Sequence, residues 1–235
     1  MKDVRIPLKT NTVNQLGGKM KSTLGMLLGL ALAAILVMPS PVAAQSYSVG
    51  DARSDVGQLR NMYGVATDLL ARDGAGDFER ALEIYERIFT DDVCIAFAPG
   101  DPGQGCFQGI AGISGPTGVS GAPEAWADFV SWALAPSLGT QHLLGSQVVA
   151  IDELPRGNPG TSNSTGHATM STYLQAWQVF PTDPPEEGKG DLSLYIGTYF
   201  DLAEVTRGVG WQIYDMRLIR NPNGSGGESR VINTP

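Results

Sequence analysis

His142 is one of only two histidines in 235 residues, and it stands near the start of a long strand-like stretch, Gln141 to Ile151. An imidazole titrates near neutrality and can take up and release a proton during a reaction; it can equally pack or hydrogen-bond without reacting. Tyr63 and Tyr199 carry phenols, which donate hydrogen bonds to a carbonyl or enolate oxygen or serve as amphipathic core. His167 falls at the edge of a hairpin rich in Gly, Asn and Ser and is expected at the surface. Two Cys and two His without close clustering do not make a structural zinc site. There is no Ser-His-Asp order, and the glycines of 109–121 lack the Lys-Ser/Thr ending of a phosphate loop. Neither a metal nor a cofactor is therefore expected, and any chemistry falls to the side chains themselves.

The elements that must position these groups follow from periodicity. From Ser54 onward, Val56, Leu59, Met62, Tyr63, Ala66, Leu69 and Leu70 recur at helical spacing. Asp73-Gly74-Ala75-Gly76 breaks this first helix, and residues 45–53 read as a loose lead-in. Asp77 is placed to cap a second helix with Phe78, Ala81, Leu82, Tyr85, Ile88 and Phe89 on one stripe. Val93 to Ala98 reads as a first strand. Residues 109–122 are expected to be an irregular loop, and Pro123-Glu124 opens a third helix carrying Trp126, Phe129, Val130 and Ala133. Four strands follow, at Gln141–Ile151, His167–Phe180, Leu192–Val205 and Trp211–Ile219, with turns rich in Gly, Pro, Asn and Asp between them. Successive strands joined this way form an antiparallel meander. The polar tail from Asn221 is expected to be disordered. Helices on one face of a curved sheet enclose a concavity, a natural pocket for a small molecule.

The N-terminus has a different character. Lys19 and Lys21 precede an apolar run from Leu24 to Met38, which ends in Val42-Ala43-Ala44. A basic start, an apolar middle and a small-residue end are the parts of a secretory signal peptide, with cleavage expected after Ala44; Met20 is an alternative initiator. An uncleaved anchor is the other reading, although the apolar run is short of the roughly 20 residues of a span. Residues 1–44 hold five of the 16 Lys and Arg and one of the 24 Asp and Glu. The remainder carries 11 basic and 23 acidic residues, a net charge of −12, and such a surface repels phosphate backbones. Export is expected, with no nucleic-acid partner and no membrane contact after cleavage. In an oxidising compartment Cys94 and Cys106 could pair across the Pro/Gly turn between them; two buried free thiols are the alternative.

Several of these segments resemble one known group. Tyr63-Gly-Val-Ala-Thr-Asp68 resembles the Tyr-x4-Asp segment of SnoaL-like proteins in the nuclear transport factor 2-like superfamily. Phe89-Thr-Asp-Asp-Val93 is similar to that group's helix-to-strand junction, and Thr140-Gln-His-Leu-Leu-Gly145 to a Thr-x-His-x-x-Gly segment found there, scytalone dehydratase included. Gly197-Thr-Tyr-Phe-Asp201 and Gly210-Trp-Gln-Ile213 resemble its last two strands. The likeness covers roughly residues 54–220. It implies an α+β fold, a cone-shaped curved antiparallel sheet with three helices on its concave face. It also implies that His142 works beside Asp68. On an ideal helix Asp68 lies about 140° from Tyr63, on the side of Gly57 and Gly64, so it is either solvated or reaches a pocket across close packing; Asp73 is the fallback. Trp177 stands where scytalone dehydratase is expected to have a second catalytic His. That argues against its particular dehydration and suits a flat apolar ligand. Arg217 matches the Arg of the bile-acid dehydratases of the group, if its strand face points inward.

Two functions are consistent with these residues. The first is a cofactor-independent dehydratase, isomerase or cyclase acting on a small apolar molecule. Its catalytic groups would be His142, Asp68 and Tyr63, with Trp177, Tyr199 and Arg217 binding the ligand. The second is a non-catalytic module that binds a ligand in the same pocket, or associates as a homodimer or higher homo-oligomer.

Overall fold

The computed structural model describes residues 47–72, 74–109, 118, 121–160, 165–220 and 230–233. The chain divides into Met1–Ala43 and Ala44–Pro235, and every described residue lies in the second unit. The expected signal segment, Asp73, most of the 109–122 loop and residues 221–229 lie outside the described residues.

Helix α1 runs Val49–Leu70 and begins earlier than the apolar periodicity does. Ser48 accepts from the Asp51 backbone N–H, and the Asp51 carboxylate accepts from the Ser48 backbone N–H at 2.9 Å. This reciprocal capping box satisfies donors that the first turn leaves open, so much of the expected lead-in is helix. Val56, Leu59, Tyr63, Ala66 and Leu70 are buried along its core side. Helix α2 spans Asp77–Ile88. Its N-cap is Gly76, at a φ of 80° that glycine adopts without steric cost, and Asp77 is its first residue rather than its cap. Helix α3 spans Ala122–Leu134 with Pro123 in its first turn, and it buries Trp126, Ala127, Val130 and Leu134.

The strands are β1 (Phe89–Ala96), β2 (Gly139–Glu153), β3 (His167–Pro181), β4 (Lys189–Thr206), β5 (Gly210–Arg220) and β6 (Arg230–Asn233). They form one sheet in the order β1-β5-β4-β3-β2. From β2 to β5 the chain is the expected antiparallel meander. Strand β1 differs: it pairs parallel with β5, which makes the sheet mixed. No hairpin joins β1 to β5; the whole meander intervenes, so nothing in the connection forces them antiparallel. Strand β6 pairs antiparallel with the start of β4, Asn233 opposite Lys189. The end of the chain is therefore partly strand where disorder was expected.

The three helices and the sheet share one core, with Tyr85, Ile88, Phe89, Val93, Met170 and Ile213 fully or almost fully buried. Burying each such side chain stabilises the fold by about 1.5–3 kcal/mol. Helix α1 also lies against β2. A Cβ on Gly57 would stand 3.0 Å from Gln147 Oε1, and one on Gly64 would stand 3.0 Å from Leu144 Cδ1. The face of α1 that carries Gly57, Asn61 and Gly64 is thus packed on the sheet, with Asn61 Oδ1 accepting from Gln147 Nε2 at 3.0 Å. Asp68 continues this stripe one turn beyond Gly64.

Candidate active site

Close packing of α1 on β2 places Asp68 against His142. The Asp68 Oδ1 lies 2.7 Å from His142 Nδ1, and Oδ2 accepts from the His142 backbone N–H at 3.2 Å. The two side chains are largely buried, at 7% exposure for His142 and 17% for Asp68. A carboxylate at Nδ1 fixes that nitrogen as the protonated one, which leaves Nε2 with the lone pair. His142 lines a cavity of about 410 Å³, within the range of small-molecule sites. Asp68 is not part of the cavity wall; it stands behind the imidazole.

Sheet register explains which side chains reach the cavity. His142, Ala176 and Tyr195 lie opposite one another on β2, β3 and β4, and all three line it. One residue along, Gln141, Trp177 and Leu194 form the next row. Successive strand residues point to opposite faces, so Trp177 projects from the other face of the sheet and does not line this cavity. Leu174 and Gln178 share the parity of Ala176 and also line the cavity.

The opposite wall comes from α1 and α3. Tyr63 and Thr67 enter from α1, and Trp126, Phe129, Val130, Ala133 and Leu134 from α3. Trp126 and Phe129 are stacked at 5.3 Å between ring centroids, and Phe97 from the loop after β1 meets Trp126 at 5.9 Å. That loop is tied down in two ways. Cys94 and Cys106 are bonded, with Cα atoms 5.1 Å apart. Arg217 donates from Nε and Nη2 to the Asp215 carboxylate at 2.7 and 2.9 Å, and its Nη1 and Nη2 reach the carbonyls of Gln104 and Asp101 at 2.7 and 2.6 Å. Asp215 also accepts from the Gly103 N–H at 2.8 Å. Arg217 is thus a fastener of the 101–104 turn. It does not line the cavity, because its parity on β5 is opposite to that of Leu218 and Arg220, which do.

Tyr199 lines the cavity beside Tyr63, with ring centroids 5.4 Å apart. Beneath both rings lies Arg60, fully buried, its guanidinium carbon 4.6 Å from the Tyr63 centroid and 3.9 Å from that of Tyr199. Arg60 Nε donates to Asp201 Oδ2 at 3.0 Å and Nη2 bonds Oδ1, a two-pronged pair between side chains that are both fully buried. Burial pushes the Asp201 carboxyl up, to about 6, with Arg60 pulling the other way. Burial also pushes the phenols of Tyr63, Tyr85 and Tyr199 up, those of Tyr85 and Tyr199 furthest. His167 lies far along β3 from the cavity residues, half exposed, 3.8 Å from Glu153. Among the described residues, no group of three or more His, Cys, Asp or Glu is placed to hold a metal ion.

Sequence reasoning passed over Arg60, Asp201, Thr67, Gln178, Tyr195 and Arg220. For Arg60 a signal existed: it falls four residues after Val56 and three before Tyr63, on the apolar stripe itself. An arginine there must find a buried partner. Asp201 has the parity of Tyr199 and Ala203 on β4 and supplies it.

A family model for the SnoaL-like domain matches residues 52–217. The chain belongs to this family. Its fold is that of the nuclear transport factor 2-like superfamily. No curated protein matches the sequence. Among solved structures, this SnoaL-like domain is similar to the Kfla4162 protein from Kribbella flavida, with a TM-score of 0.50 at 18% identity over 74% of this chain and 93% of that one. It is similar also to a candidate scytalone dehydratase from Novosphingobium aromaticivorans, with a TM-score of 0.47 at 12% identity over 78% and 92% of the two chains. A hexachlorocyclohexane dehydrochlorinase, LinA-type3 from Novosphingobium barchaimii, gives 0.46 at 12% identity over 77% and 94%. At these identities the likeness concerns the fold.

Proposed function

We propose that this SnoaL-like domain is an acid–base enzyme that moves a proton on a small, largely apolar molecule bearing one oxygen function. The observation that carries this reading is His142, backed by Asp68, on the wall of an aromatic-lined cavity. Asp68 orients the ring and stabilises the imidazolium that forms when Nε2 takes a proton. The proton would come from carbon next to a carbonyl, or from a carbon whose neighbour loses hydroxide. Tyr63 and Tyr199, across the cavity, supply phenols to the oxygen on which charge develops. Dehydration, isomerisation and cyclisation all use this step.

The test needs no named substrate. A panel of enolisable ketones and β-hydroxy ketones is incubated with protein in D2O, and deuterium uptake next to the carbonyl is followed by NMR. Uptake or elimination with the wild type should fall by about 10²–10⁴-fold in His142→Ala. Ketones that bind the wild type without exchange would leave a non-catalytic binding module instead.

We also propose export with cleavage after Ala44, from the basic, apolar and small-residue order of residues 19–44. Mass spectrometry of protein from the extracytoplasmic fraction should find Gln45 at the N-terminus. Soluble cytoplasmic protein with residues 20–44 intact would end that reading.

A further inference from the structure

We propose that Arg220 anchors a carboxylate of the ligand, so that the molecule bound in the cavity is an apolar acid held by its anionic end at the mouth. This names the substrate class of the site described above, and it rests on the acid–base reading for the end that reacts. Among the described residues lining the cavity there is no Asp or Glu, although the chain as a whole carries a net charge of −8. The permanent cation among them is Arg220. Phe97 and Arg220 are the described lining residues that are also exposed. Strands β1 and β5 are parallel neighbours; Phe97 follows the end of β1, and Arg220 ends β5. The cavity therefore opens where these two strands end, with a cation on its rim. An exposed guanidinium escapes the penalty of full burial, and above low-dielectric walls it focuses the field that draws an anion in.

Local packing fits this arginine to a carboxylate. Its guanidinium carbon lies over the Tyr195 ring, 5.1 Å from the centroid. A guanidinium held by its face presents its N–H donors at the edge, the fork that takes a carboxylate through two bonds. The residue opposite Arg220 on β4 is Gly197, two positions from Tyr195 and buried. A Cβ there would stand 2.9 Å from the Ile219 carbonyl oxygen and 3.3 Å from Tyr195 Cε1. Glycine weakens a strand interior, and its use marks a place of close approach; here it admits the ring that supports Arg220. Register sets the length of the ligand. His142, Ala176 and Tyr195 form one inward row, and Leu144, Leu174, Gly197 and Arg220 form the next. His142 on β2 and Arg220 on β5 are three strand spacings apart, roughly 14 Å along the sheet at about 4.8 Å each. A ligand that meets both carries its anion several bonds from the carbon that gives up its proton, with the aromatic wall of α3 against the apolar stretch between.

The experiment titrates the full-length protein calorimetrically, at neutral pH, with 2-naphthoic, 2-naphthylacetic and 3-(2-naphthyl)propanoic acids and with their primary amides. At least one acid should bind the wild type about 10-fold or more tightly than its amide, the contribution expected of hydrogen bonds to a charged group. In Arg220→Gln that preference should disappear while the amide binds as before, which also reports an intact cavity. Arg220→Lys keeps the charge without the fork and should retain part of the preference. Absence of acid binding to the wild type, equal binding of acid and amide, or a preference that survives Arg220→Gln overturns the proposal. A preference lost in His142→Ala and kept in Arg220→Gln would seat the anion on the imidazolium and overturns it as well. No turnover enters the measurement. A failure here leaves deuterium exchange on neutral ketones standing, and a failure of exchange leaves the acid preference readable.

Discussion

Asp68 holds His142 at two points, the ring Nδ1 at 2.7 Å and the backbone N–H at 3.2 Å, so one carboxylate fixes both the side chain and the strand that carries it. The second contact ties the tilt of the imidazole to the docking of α1 on β2. Asp68→Asn should keep the fold, because the amide oxygen can still accept from the backbone. It should also weaken the preference for a protonated Nδ1, because the charge that selects that tautomer is gone. ¹⁵N NMR of His142 should show a shift away from the Nδ1–H tautomer, and turnover of any substrate found should fall by at least about 10²-fold. An unchanged tautomer would mean that the contact is packing alone.

Arg60 and Asp201 give a prediction about stability. Arg60→Met alone leaves the Asp201 carboxylate buried without its partner and should cost about 3–5 kcal/mol. Arg60→Met/Asp201→Leu removes both charges and should recover most of the loss. Urea denaturation of the wild type, both single variants and the double variant closes the cycle. A double variant no more stable than the singles would show that the site needs the pair for packing.

The Cys94–Cys106 bond closes a short loop with 12 positions of sequence separation. Chain-entropy reasoning gives about 3 kcal/mol for a loop near this size. Cys94→Ala/Cys106→Ala should therefore lower Tm measurably, and reductant should lower it in the wild type and leave the variant unmoved. The Phe97 wall should persist in the variant, because Arg217 and Asp215 still hold residues 101–104. Adding Arg217→Gln should release it, seen as loss of order in Phe97 and Phe107 resonances.

Periodicity located the three helices and five main strands because each has one apolar face, and that face is what the sequence records. Helix α1 shows where this stops. Its stripe through Leu59, Met62, Ala66 and Leu70 was legible, but the face of Gly57, Gly64 and Asp68 could be read as solvated or as closely packed, and it is the surface that docks on β2. A helix buried on two sides by glycine contact has no second apolar stripe to announce it. The inward face was equally illegible for Trp177 and Arg217. Alternation gives two sets of residues per strand but not which set is inward, and both sets on β5 are largely buried. The end of the chain was misread for a further reason: four residues of β6 are too few to show alternation within a polar, Gly-rich tail.

Gly64 gives the last prediction, because it sets the distance between α1 and the strand that carries His142. Its added Cβ would meet Leu144 Cδ1 at 3.0 Å and His142 Cβ at 3.6 Å. The closer atom is the end of a flexible, half-buried side chain that can rotate away. Gly64→Ala should therefore be tolerated, with the tight contact set against a gain in helix propensity of about 1 kcal/mol. Gly64→Leu adds further carbon atoms where only one fits, and Leu144 cannot absorb them. The helix itself should survive, since leucine is a good helix former, so circular dichroism should stay close to wild type. What should give way is the α1–β2 docking one turn before Asp68, and with it the 2.7 Å contact to His142. The His142 tautomer signal should then resemble that of Asp68→Asn, while Gly64→Ala retains the wild-type signal. A Gly64→Leu protein with wild-type His142 resonances would show that the pair is held by elements other than this glycine contact.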